Sequence, residues 1–63
     1  MKIKLNDEIV VIDPKYPLCG FTGKVVGIRG QTIEGYNWLL VFFPVRMRSY
    51  LVPENYCERT NKE

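Results

Sequence analysis

Residues 20–30, GFTGKVVGIRG, constrain this chain more than any other stretch. Gly20, Gly23, Gly27 and Gly30 punctuate a β-rich run, with Phe21 near its start and Lys24 and Arg29 at either end of its apolar centre. Glycine belongs where the backbone must take positive φ or pass close to another segment. The pattern predicts a tight turn at 21–23, a strand over 24–28 and a second turn near 29–30. The rest of the chain must supply partners for that strand.

Residues 1–4 alternate apolar and basic, and are expected to extend the first strand or form an arm. A turn is expected at 5–7. Residues 8–13 predict a strand with Ile9 and Val11 on one face and Val10 and Ile12 on the other. Four apolar residues in succession imply burial on both faces, or one face covered by a partner. In PKYPLCG (14–20), Pro14 and Pro17 exclude a central strand and stiffen a loop. Residues 31–37 form a polar connection bent at Gly35. Residues 38–43 predict a third strand with no polar interruption: Trp38, Leu40 and Phe42 face one way, and Leu39, Val41 and Phe43 the other. A solvated sheet face would alternate apolar with polar residues. This strand is therefore expected either inside a closed barrel with a covered outer face or at an interface, with Trp38, Leu39, Val41 and Phe43 as interface candidates. Pro44 ends it, and Arg46-Met47-Arg48 crosses a loop tip. A fourth strand is expected at 49–52, a single 3-10 turn at 53–55, a last strand at 56–59 and a polar, frayed tail at 60–63. Five short strands with regular turns predict an all-β fold, one small five-stranded barrel domain over 1–63.

A chain of 63 residues buries only about 60% of the surface it exposes when unfolded, so good packing or association must support it. Its net charge of +2 permits an acidic partner without demanding one. The chain has no histidine, and Cys19 and Cys57 lack metal-ligand spacing. Zinc constellations and histidine-based triads are thereby excluded, and no metal, cofactor or catalytic residue is expected. Both cysteines read as small buried hydrophobes, with a disulfide between them left open. Asp7, Glu8 and Asp13 read as solvated turn residues rather than an acid–base pair. The start lacks the apolar run of a secretory leader, and residues 38–45 are too short to span a membrane. A cytoplasmic location without membrane insertion is the expectation.

The order strand, loop, aromatic-x-Gly-basic-Val, strand resembles the KOW motif, carried here by Ile9, Val11, Asp13, Phe21, Gly23 and Val25. The likeness to NusG-type transcription elongation factors runs over roughly residues 6–60, and TGKVVGIRG (22–30) is similar to a segment of an archaeal and eukaryotic ribosomal large-subunit protein. Both imply an SH3-like five-stranded barrel and an RNA or ribonucleoprotein partner. LVPENYCE (51–58) is similar to the last turn and strand of signalling SH3 domains, where the equivalent proline and tyrosine line a peptide groove. A weaker similarity, GKVVG (23–27) with TIEGY (32–36), is to type II dihydrofolate reductases. Their pore strand carries Gln-Ile-Tyr where this chain has Arg48, Ser49 and Tyr50, so only the tyrosine matches and no reductase is expected.

Two binding surfaces follow. Lys15, Lys24, Arg29, Arg46 and Arg48 are basic residues able to meet phosphates, with Tyr16, Phe21 and Tyr50 as stacking platforms beside them. Alternatively, Trp38 with Tyr16, Tyr50 and Tyr56 forms an aromatic groove for a protein segment. The leading expectation is a non-enzymatic RNA-associated module. The alternative is a protein–protein adapter, a subunit of a larger complex or a homo-oligomer.

Overall fold

The computed structural model describes residues 3–60. The expectations for residues 1–2 of the amino-terminal arm and 61–63 of the tail lie outside them. The chain forms β1 (Glu8–Val11), β2 (Thr22–Gln31), β3 (Asn37–Phe43), β4 (Arg48–Pro53), a 3-10 turn (Glu54–Tyr56) and β5 (Cys57–Arg59). The strands make one five-stranded antiparallel sheet in the order β4-β3-β2-β1-β5. All-β is the architecture, but no ladder joins β4 to β5, so pairing does not close the expected barrel.

Local chemistry explains the boundaries. Asn6 takes φ 74°, within the range asparagine tolerates, and its N–H donates to the Val25 carbonyl at 2.8 Å. Val25 returns a bond to the Asp7 carbonyl at 2.9 Å. β1 stops two residues before the expected end. There the Asp13 carboxylate accepts the Lys15 N–H at 2.8 Å and opens the proline-containing loop.

The turns around β2 differ from expectation. The chain reverses at Gly20, whose φ of +91° suits glycine. Its N–H reaches the Val11 carbonyl at 2.8 Å. Gly23 is not a turn residue but lies within β2, opposite Ile9. It is glycine because β3 crosses too closely for a side chain: a Cβ there would lie 2.6 Å from Val41 Cγ1 and 2.8 Å from the Phe42 carbonyl oxygen. At 29–30 the strand does not turn either. A register irregularity between Arg29 and Gln31 absorbs Gly30 as a bulge and lets β2 run on. The reversal waits for Thr32, whose N–H donates to the Tyr36 carbonyl at 2.7 Å and whose hydroxyl accepts the Tyr36 N–H at 3.2 Å.

Ile9, Val11, Val25, Leu39, Val41, Phe43 and Val52 are buried almost completely, and Ile3, Leu18 and Cys57 complete the cluster. Residues from β4 and β5, the two ends of the strand order, share this one core, so the sheet wraps around it. Each fully buried large aliphatic side chain is worth about 1.5–3 kcal/mol. The opposite faces of β1 and β3 are not covered as the apolar runs suggested. Val10 is half-buried and Ile12 is 50% exposed. Trp38, Leu40 and Phe42 are all half-buried. Leu39, Val41 and Phe43, offered above as interface residues, are 0% exposed and belong to the core. Only Trp38 of those four reaches the surface; any contact made by β3 goes through Trp38, Leu40 and Phe42.

Candidate binding surface

Two shallow clefts flank a row of aromatic side chains. The first, about 490 Å³, is bounded by the loop after β2 (Gln31, Thr32, Ile33, Glu34), by Trp38 of β3, and by Pro53, Asn55 and Tyr56. Register places Trp38 opposite Pro53, so the pair shares one face of the sheet. The Glu54 carboxylate accepts the Asn37 N–H at 3.2 Å and fixes the 3-10 turn against the start of β3. Ile33 is fully exposed at the rim and offers an apolar wall. The second cleft, about 170 Å³, is lined by Tyr16, Pro17, Leu18, Arg46 and Tyr50.

Tyr16 and Tyr56 join the clefts. Their rings meet edge to face with centroids 6.0 Å apart. The Tyr16 hydroxyl donates to the Leu51 carbonyl at 3.0 Å, anchoring the proline-stiffened loop on β4. Burial pushes the Tyr16 phenol above its ordinary value, with Cys57 and Tyr50 adding to the effect, so the group stays a protonated donor. At the far end, Tyr50 packs edge to face on Phe43 with centroids 5.9 Å apart, which ties the row to the core.

The basic residues come from three parts of the chain: the first loop, β2, and the turn into β4. Arg46 borders the second cleft, its guanidinium 5.9 Å from the centre of the Phe21 ring. Lys15 precedes Tyr16 in the loop, and Arg48 opens β4 opposite Phe43. Lys24 and Arg29 lie on β2, opposite Phe42 and Trp38. Sequence reasoning did not single out Pro17, Leu18, Glu34 or Asn55 as surface-forming. As a groove residue Pro53 was marked only by the likeness of LVPENYCE to signalling SH3 domains, whereas Tyr56 was also expected in the aromatic groove.

Cys19 is exposed and Cys57 buried, both as free thiols. The Cys57 thiol faces the Pro53 carbonyl at 3.7 Å. Burial first and the Glu54 carboxylate second raise its pKa from 9.0 to about 12. The folded state holds that proton more tightly than the unfolded chain. Stability from neutral Cys57 is therefore complete below pH 9.0 and declines as pH climbs toward about 12. Iodoacetamide at pH 8 should label Cys19 and spare Cys57 until the chain unfolds, as mass spectrometry of digested protein would report. Equal labelling of both would contradict this environment.

Among the described residues no three or more His, Cys, Asp or Glu side chains gather to hold a metal, and no helix is long and apolar enough to cross a membrane. No family model, curated protein or solved structure matches this chain.

Proposed function

We propose that this chain is a non-enzymatic binding module of SH3-like, KOW-type barrel architecture, and that it takes an extended, proline-containing protein segment along the aromatic row. The observation that carries this reading is the continuity of Trp38, Pro53, Tyr56, Tyr16 and Tyr50 across two adjoining clefts. An extended chain fixed by proline loses little entropy on docking, and flat aromatic walls suit its ridged surface. Rigid anchors favour the same use: Tyr16 is hydrogen-bonded to β4, Tyr50 is packed on Phe43, and Trp38 is set in β3. A proline-rich peptide should quench or shift Trp38 fluorescence on titration. Trp38→Ala should weaken its binding about thirtyfold, the scale of a central aromatic anchor. Unaltered affinity in that variant would overturn the reading.

A second reading, RNA or ribonucleoprotein binding, draws on Arg46 beside the Tyr16 and Tyr50 rings. Phosphate contacts make affinity fall steeply with salt. If this reading is right, the double variant Arg46→Glu, Arg48→Glu should lose RNA binding, and unchanged RNA affinity would remove it.

A further inference from the structure

The outer face of β2, β3 and β4 carries a second surface. Directly paired residues on antiparallel strands share a face, so three rows stand beside one another: Lys24–Phe42–Ser49, Gly27–Leu40–Leu51 and Arg29–Trp38–Pro53. Leu40 and Phe42 are only half-buried, and Leu51 is 47% exposed. Gly27 leaves a depression at the centre. The space its Cβ would fill is bordered by Leu40 Cδ2 at 3.6 Å and by the guanidinium carbon of Arg29 at 3.7 Å. The cation of Arg29 thus lies over the apolar surface, and it has no ion-pair partner among the described residues. Residues 24–29, 38–42 and 49–53 contain no carboxylate at all. Negative charge stands at the border: Glu8 of β1 is paired in register with Lys24, and Glu34 and Glu54 lie beside Trp38 and Pro53.

We infer that this face docks a partner protein segment that presents aliphatic side chains to Leu40 and Leu51 and a carboxylate to Arg29. A second copy fits poorly. The paired rows themselves carry Lys24 and Arg29 and no carboxylate, so the same face met across a two-fold axis would set like charges against one another. The apolar centre is aliphatic, which suits protein side chains better than stacked bases. This surface is independent of the aromatic row apart from Trp38 and Pro53 at their shared border.

The test uses the full chain, labelled with nitrogen-15, and three capped decapeptides alternating leucine with glutamate, glutamine or lysine. The glutamate peptide is expected to shift the amides of residues 38–42 and 49–51 and to bind about tenfold more tightly than the lysine peptide, the scale of exchanging attraction for repulsion at one partly covered cation. In Arg29→Glu, an exposed position whose spectrum verifies the fold, the preference should reverse. Equal binding of the three peptides, shifts confined to Tyr16, Tyr50 and Tyr56, or a salt-resistant dimer that Leu51→Glu returns to monomer would each overturn the inference.

Discussion

Phe43→Ala is expected to lower the free energy of unfolding by about 3–5 kcal/mol, the range for deleting a fully buried phenylalanine. Phe43 is the largest of the completely buried side chains, and Tyr50 packs on its edge. A chain of this length has a total stability of roughly 3–9 kcal/mol. The variant should therefore lose at least about a third of its stability, and at the lower end of that range all of it. Phe43→Asp should not fold at all, because an ionised carboxylate would enter the same apolar cluster. It therefore cannot serve as a probe of assembly, although the apolar run of β3 invites that use. The control is Phe42→Ala, one residue away on the half-buried outer face, where about 1 kcal/mol is expected. Urea denaturation of the two variants reads the difference directly. Equal losses would mean that the two faces of β3 are buried alike, and a larger loss at Phe42 that they are assigned the wrong way round.

Gly23→Val should be as damaging, through crowding rather than a cavity. Even a single Cβ at this position would lie 2.6 Å from Val41 Cγ1 and 2.8 Å from the Phe42 carbonyl oxygen. The side chain of Val41 could swing aside, but the carbonyl belongs to the ladder between β2 and β3 and cannot move without breaking pairing. Overpacking costs about 1–3 kcal/mol even where a core can relax. Gly23→Ala should lie at the upper end of that range, and Gly23→Val should abolish the cooperative transition. Gly27→Ala makes the comparison, since its new methyl would meet nothing closer than 3.4 Å, at Leu40 Cβ. It should cost less than half as much as Gly23→Ala. A Gly23→Val protein melting like the parent would show that β2 and β3 are not packed as described.

Much of this architecture was legible in the residues. The period-two pattern of β3, the prolines of the first loop and the Pro44 stop each follow from backbone geometry, and the corresponding elements lie within a residue or two of their expected places. The glycines were harder, because one residue type serves two purposes. Gly20 supplies positive φ, whereas Gly23 supplies closeness, and nothing local distinguishes them. Gly30 looked like a turn but forms a bulge, since only pairing with β3 shows that the strand continues. Uninterrupted apolar runs in β1 and β3 overstated burial for a related reason. A sequence shows that a face is apolar but not whether anything covers it, and here Ile12, Leu40 and Phe42 keep contact with solvent. The surface was legible only in its aromatic members. Tyr16, Trp38, Tyr50 and Tyr56 could be named in advance, whereas Pro17, Leu18, Glu34 and Asn55 join them through the folding of distant loops.

The role proposed for the aromatic row is the binding of an extended protein segment. Its most direct test is chemical-shift mapping of the nitrogen-15 labelled chain, titrated in parallel with a proline-rich decapeptide and with a generic single-stranded RNA, at low and high salt. Peptide-dependent shifts are expected along Tyr16, Tyr50, Tyr56 and the Trp38 indole and should persist in high salt, because apolar contact is not screened. Shifts produced only by RNA, centred on Arg46 and Arg48 and lost as salt rises, would contradict it.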